Sequence, residues 1–247
     1  MTDPTRQVLS TAPLCFWRFD GAGDCVPSLG AAPYALRAQG EPPRAAEGGP
    51  FGGKCAELGE GSWYAIPRAE CPALDFSGER SSFTLAAWLL RNPKSHKECQ
   101  AVAGMWNETR RQRQYAMFLD LWIWDSGEQA AAHVSATGGP TEGYPYCMDA
   151  AIGRAPVPLN AWQAVAITYD GGAARVYLNG ALDVRPGRNP FPYGKPLFSA
   201  GPGGADFTVG AVHRGGEMGN WFHGLLGGLA VYDRALTGAE IAALPKF

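Results

Sequence analysis

The stretch NAWQAVAITYDGGAARVYLNGALDV, residues 160–184, constrains the fold more than any other part of the chain. From Trp162 to Tyr169 the side chains alternate. Val165, Ile167 and Tyr169 fall on one face and Ala164, Ala166 and Thr168 on the other, because successive residues of a strand point to opposite sides. One face is bulky and the other thin. Asp170-Gly171-Gly172 supplies residues that tolerate positive φ, and Val176 and Leu178 then alternate with Arg175 and Tyr177. Asn179-Gly180 is the strongest short hairpin signal a sequence carries. Two neighbouring strands with tight turns at both ends predict a meander within an all-β chain.

The wording of this stretch, a Trp-led strand, a TYDG turn and a VYLNG strand, resembles the laminin-G-like, concanavalin A-like jelly-roll superfamily. Three further pieces match in order: CFWRFDGAG at residues 15–23, SFTLAAWLL at 82–90 and FHGLLGGLAVYDRALTGAEIAAL at 222–244. The resemblance spans nearly the whole chain. It implies a two-sheet antiparallel β-sandwich, a concanavalin A-like jelly roll, with a short C-terminal helix. It implies far less about activity, since similar folds occur in lectins, carbohydrate-binding modules, glycoside hydrolases, polysaccharide lyases and adhesion domains. The 247 residues read as an N-terminal extension, 1–13, followed by one domain, 14–247, within the ~200–250 residues that a single β-sandwich reaches.

Composition narrows the function classes. With 46% hydrophobic residues, 33 Gly, 20 Pro and 18% charged residues, the chain is globular and rich in turns. A formal charge of −2 gives no global attraction for nucleic acid or an anionic membrane. No apolar run approaches the ~20 residues a membrane helix needs, so no membrane insertion is expected. The opening MTDPTRQVLSTAP lacks the apolar segment of a secretory leader. The chain as it stands reads as cytoplasmic, and as secreted if a leader was removed. The six cysteines (15, 25, 55, 71, 99 and 147) show no CxxC or zinc spacing, which leaves free, mostly buried thiols or a few disulfides; with no leader visible the expectation is reduced thiols, reversed if a leader was removed. The sequence does not specify an oligomeric state.

Along the chain, residues 14–19 read as a first strand beside the C-terminal one, and 40–53 as a surface loop. Residues 55–58 and 63–66 read as strands around a turn at 59–61. The strong strand 83–90 carries Trp88 in a structural role. A strand at 101–106, a polar loop at 107–114 with Arg110, Arg111 and Arg113, and a returning strand at 115–122 come next. Residues 130–136 form a further strand, and 137–154 an insertion longer than generic domains of this kind need. Residues 185–204, carrying Asn189, Phe191 and Tyr193, form a second long segment and a candidate binding loop. Thr237 and Glu240 make a capping box for a terminal helix over 237–244. The resemblance also suggests calcium in the turn holding Asp20 and Asp24, since calcium takes ~6–8 oxygen ligands. Relatives that bind it tend to add an acidic residue where this chain has Gly227-Gly228. The expectation is no cofactor, with Asp20 and Asp24 as the calcium ligands if one binds.

Sugar sites need flat apolar surface for ring faces and planar hydrogen-bonding groups for hydroxyls. Trp106, Arg113, Tyr115, His133, Ser135, Tyr144, Tyr146, His213, Arg214, Trp221 and His223 supply both beside loops and strand ends. The expected site is the convergence of the 107–114 loop, the His133/Ser135 strand, the 137–154 insertion and the loop at 213–221. No phosphate loop, GxSxG elbow, HExxH or ExDxE run is present. A lyase needs only a base and a group to stabilise the enolate, and Tyr115, His133 and Arg113 are the candidates. The leading reading is a carbohydrate-binding, lectin-like domain whose partner is an oligo- or polysaccharide. The alternatives are a glycan-degrading lyase or hydrolase using the same face, and a protein-interaction domain.

Overall fold

The computed structural model describes residues 3–21, 23–78 and 81–247. Two sheets pack face to face, with their strands antiparallel apart from the parallel contact of His213 with Asn107 and an isolated parallel bridge of Arg91 with Leu159. The main path of the back sheet runs Ala181–Leu182, Ala173–Leu178, Trp162–Tyr169, Phe83–Arg91, Gly224–Tyr232, Gly53–Leu58, Arg44–Gly49. The front sheet runs Ala150–Pro156, Gln129–Val134, Gln112–Leu119, Gln100–Asn107, Phe207–Val209, Ser62–Ile66, Ala35–Gly40, Cys25–Pro27. The expected meander is present, with Ile167 opposite Val176 and, on its other side, opposite Leu85. Cys15–Arg18 pairs with Gly224–Tyr232, so the first strand lies against the last long one.

The bulky face of the meander, Val165, Ile167 and Tyr169, joins Met105, Tyr115, Met117 and Phe207 of the front sheet in the core between the layers, as alternation requires of two stacked sheets. The thin face points outward, and its small side chains let a helix lie close. Ala86, Ala166 and Ala230 are buried together with Ile241 and Leu244, which belong to or follow the helix Gly238–Ala243, and with Trp88 and Phe16. That helix has the expected capping box: Thr237 Oγ1 accepts from the Glu240 N–H at 3.2 Å and Glu240 Oε2 from the Thr237 N–H at 2.8 Å. Trp88 is structural, its Nε1 donating to the Pro245 carbonyl at 2.8 Å. Asp3 caps a short helix, Pro4–Leu9, whose Val8 is buried in the same outer layer.

The strands around the turn at 59–61 are present, Gly53–Leu58 in the back sheet and Ser62–Ile66 in the front, so the turn carries the chain across the sandwich. Other local expectations are corrected. Residues 40–53 are not one loop, because Arg44–Gly49 is an edge strand paired with Gly53–Leu58. Its largely exposed side chains hide the apolar period that would have revealed it. The 107–114 loop shortens to residues 108–111, since Gln112 already belongs to a strand. That strand stops at Leu119 rather than continuing to 122, and Asp120 turns to φ +58°. Residues 185–204 are tied to the sandwich at Asn189 and Tyr193. The buried Asn189 side chain bonds the Val176 N–H and carbonyl and the Asp183 carbonyl, and Tyr193 Oη accepts from the Ala136 N–H. The six cysteines are free, with Cys15, Cys55, Cys71 and Cys147 buried.

Candidate functional site

The alternation that fills the core also sends a second set of side chains to the outer face of the front sheet. In Gln129–Val134, Ala132 and Val134 face the core and Ala131 and His133 face out; in Gln112–Leu119, Met117 and Leu119 face in and Ala116 and Phe118 out. His133 lies opposite Ala116, and Ala131 opposite Phe118, which makes His133 and Phe118 diagonal neighbours. With Trp106 they form an aromatic floor. Ring centroids are 4.9 Å apart for His133–Trp106, 5.3 Å for His133–Phe118 and 5.9 Å for Trp106–Phe118. A cavity of about 270 Å³ lies on this floor, walled by Cys99, Leu121, Trp122, Ile123, Tyr146 and Cys147, with Glu108, Arg214 and Asn220 as its polar lining.

The lining combines the charged Glu108 and Arg214 with neutral groups. Burial pushes the His133 pKa down to about 4, so the ring is uncharged at neutral pH. Its Nδ1 lies 3.1 Å from the Asp149 carbonyl. A neutral imidazole in that position donates through Nδ1 and leaves Nε2 as an acceptor. Burial lifts the Cys99 thiol to about 12 and Cys147 to about 11, so both are protonated and act as apolar wall. Asn220 is 2% exposed, and its Oδ1 has no hydrogen-bond partner. Its backbone is held by Glu98 Oε1, 3.2 Å from the N–H, and by the Ala101 N–H, 2.7 Å from the carbonyl.

Glu98 organises the charges around the cavity. It accepts from Lys94 at 2.6 Å and from Arg214 at 2.7 Å. Burial alone raises its pKa, but these cations and the Asn220 N–H together bring it below the usual carboxylate range. Further cavities share walls with the first. One of about 480 Å³ includes Tyr146, Arg214, Trp221 and Met218, and one of about 300 Å³ includes Trp63, Trp106 and His213. The wall at Leu121–Trp124 is backbone-strained, with Trp122 at φ +56° and Trp124 at +54°, a conformation costly for bulky residues and kept only where contacts impose it. Those contacts are present. Trp124 Nε1 donates to the Met148 carbonyl at 3.1 Å, Arg188 stacks over its ring at 4.0 Å, and Arg185 donates to its carbonyl at 2.8 Å.

The structure brings all four expected segments to this one cavity, through Glu108, His133, Tyr146 with Cys147, and Arg214. Of the expected residues, Trp106, His133, Tyr146 and Arg214 line it. His213 and Trp221 line the neighbouring cavities, Trp221 packing 5.5 Å from Trp63. Tyr144 is exposed and packs edge-on to Trp124, behind the wall. His223 is partly buried near Gly59 and lines none of these cavities.

Three placements are corrected. Tyr115 is fully buried between the sheets, its hydroxyl donating to the Leu74 carbonyl at 2.7 Å and its pKa driven far up by burial. Its cross-strand partner is Val134, a core residue adjacent to His133, so Tyr115 and His133 point to opposite faces. Arg113 is 4% exposed and engaged by Gly138 and Glu108, both at 3.4 Å. Ser135 is buried and accepts from the Gly138 N–H at 3.0 Å. The lyase trio of Tyr115, His133 and Arg113 is therefore not assembled.

Phe118, Cys99, Asn220 and the 121–124 wall were not anticipated. The run LWIWD, aromatic yet ending in Asp, Ser and Gly, was the signal for the wall. At the turn considered for calcium, Asp20 pairs with Arg18 and Asp24 is exposed. Among the described residues no group of three or more His, Cys, Asp or Glu side chains is placed to hold a metal.

Residues 59–242 match the model of the concanavalin A-like lectin/glucanases superfamily. The chain belongs to this family. Among solved structures, this concanavalin A-like chain is similar to domain 4 of AbnA, a GH43 extracellular arabinanase from Geobacillus stearothermophilus, in complex with arabinotriose. That match has 20% identity and a TM-score of 0.62, covering 94% of this chain and 97% of that one. A Trypanosoma rangeli sialidase in complex with the inhibitor DANA matches at 14% identity and a TM-score of 0.57, over 94% of this chain but 32% of its own. The binding domain of botulinum neurotoxin DC, in complex with rat synaptotagmin II, matches at 10% identity and 0.58, over 95% and 51%. At these identities the likeness concerns the fold. No curated protein sequence matches the chain.

Proposed function

We propose that this domain binds neutral glycans, holding one sugar ring on the floor of Trp106, Phe118 and His133. The observation that carries the reading is the aromatic-floored cavity on the outer face of the front sheet. The rings are tilted against one another, 71° for Trp106–Phe118 and 83° for Phe118–His133, and the apolar ring surface they turn to the cavity suits the C–H groups of a sugar, while His133 Nε2 and the Asn220 amide suit its hydroxyls. At about 270 Å³ the cavity lies just under the ~300–1,000 Å³ of pockets for drug-sized ligands, a scale that suits a single ring. The bound arabinotriose of the AbnA domain is consistent support from a neighbour of the same fold.

Charge pairing favours a neutral sugar over a uronate or sulfated one. Arg214 is paired with Glu98 and Arg113 with Glu108, and an anionic ligand would have to displace a carboxylate from either. No cofactor takes part in this reading, so chelation should leave binding unchanged. A glycan array followed by calorimetry tests the proposal. Binding to neutral glycans that changes little with salt is expected. No binding to any glycan, or binding only to acidic ones with a steep salt dependence, would overturn it. The same samples, assayed for new reducing ends or an unsaturated product, report any turnover.

A further inference from the structure

We propose that the neighbouring cavity over Asp120 is a second sugar subsite, so that the ligand is at least a disaccharide crossing Trp122, with a hydroxyl of the second ring donating to Asp120 Oδ1. The inference rests on the glycan reading above and extends it to ligand length. This cavity, about 260 Å³, is lined by Arg91, Lys94, Ser95, Asp120, Trp122 and Glu128, among others, and Trp122 lines the aromatic-floored cavity as well. Trp122 is 43% exposed between the two hollows, with Lys97 Nζ 4.4 Å over its ring, so a bridging sugar meets the ring where the lysine leaves it open or displaces that side chain.

Each hollow holds one buried oxygen without a partner. In the first it is Asn220 Oδ1 and in the second Asp120 Oδ1. The other Asp120 oxygen is fully engaged, accepting from Arg91 at 2.9 Å and Gln100 at 2.6 Å. A buried carboxylate oxygen lacking a donor is costly, and a ligand hydroxyl is the donor it lacks. Most of the charge lining the cavity is already paired: Arg91 is matched by Asp120 at 2.9 Å and Glu128 at 3.8 Å, and Lys94 by Glu98 at 2.6 Å, while Lys97 lies over the Trp122 ring, so an anion held by Lys97 is the alternative that the salt dependence tests.

The test titrates the intact chain with mono-, di- and trisaccharides of glucose, galactose, mannose, xylose and arabinose. The expected result is a disaccharide bound roughly tenfold or more tightly than its monosaccharide. Asp120→Asn should abolish that gain and leave monosaccharide affinity unchanged. Because Asp120 is ion-paired, a second variant guards against misfolding. Ser95→Trp, at an exposed position, fills the cavity without touching the Arg91–Asp120 pair and should have the same effect. Equal affinity for all lengths, or a gain that survives both variants, overturns the subsite while the glycan reading stands. A gain seen only with uronates and lost in salt also overturns it. If no sugar of any length binds, the glycan reading itself falls and the subsite with it.

Discussion

The two outer faces of the sandwich carry similar side chains and differ in what lies over them. The back face presents Trp88, Phe16 and Tyr177 among alanines, and the front face presents Trp106 and Phe118 among alanines. On the back, the chain's own ends close the surface. Phe51 packs 4.9 Å from Trp88, Phe247 5.5 Å from Phe51, and the Trp88 indole N–H meets the Pro245 carbonyl. On the front, Trp106 donates to the side chain of Glu108 at 3.1 Å; Trp106 and Phe118 are as buried as Trp88, but the loops that bury them leave a cavity against the rings. What lies over a tryptophan on a strand is thus decided by segments distant in sequence, and the strand itself does not distinguish the two faces.

The largest effect that tests this contrast lies on the covered face. Trp88→Ala should cost about 3–5 kcal/mol, the usual range for a large buried aromatic, read from denaturant unfolding. A loss below about 1 kcal/mol would mean the tail does not seal that face. The next effect belongs to the floor of the front face. An unfolded imidazole takes up its proton near pH 6.5, and that of folded His133 only near 4. Between those values the unfolded chain binds more protons, so stability falls as pH falls through 6.5 toward 4 and recovers as pH rises. The span is worth roughly 3 kcal/mol, and His133→Gln should make the slope of stability against pH visibly shallower. A slope unchanged in the variant would mean that the ring is more solvated than its 5% exposure implies. Smaller again, Thr237→Ala should cost about 1 kcal/mol through the lost cap of the covering helix, without changing ligand affinity.

What was legible in the sequence followed from strong local patterns. The meander at 160–184, the capping box at Thr237 and the structural role of Trp88 are all present as expected, because period, turn chemistry and capping are written within a few residues. The errors arose where one local pattern serves two global outcomes. In Gln112–Leu119, Tyr115, Met117 and Leu119 on one face compete with Ala116 and Phe118 on the other, and nothing local says which set is core. Tyr115 was therefore assigned to the site and Phe118 overlooked, the reverse of what packing gives. The convergence of the four segments was legible because polar and aromatic residues beside glycine are costly to bury without partners.

The smallest stability effect gives the sharpest test of the contrast, because it pairs two tyrosines, one on each face. Tyr177 is 5% exposed within the covered layer, and Tyr146 is 64% exposed on the wall of the front cavity. Removing the Tyr177 ring deletes packing on several sides, so Tyr177→Ala should cost about 3–5 kcal/mol, as for other buried aromatics. Tyr146 gives up little contact in the free protein, so Tyr146→Ala should stay within about 0.5 kcal/mol of the parent chain. Its effect should appear instead in binding. A wall removed from a sugar-sized cavity lowers affinity by about fivefold or more, equivalent to roughly 1 kcal/mol, mainly through faster dissociation. Denaturant unfolding and calorimetry on the same samples separate the two quantities. If Tyr146→Ala destabilised the fold as strongly as Tyr177→Ala, the front loops would be a cover like the tail, and the cavity a packing gap. If it changed neither stability nor affinity, the wall at Tyr146 would have no part in recognition, and the site would have to move toward Trp221 and Trp63.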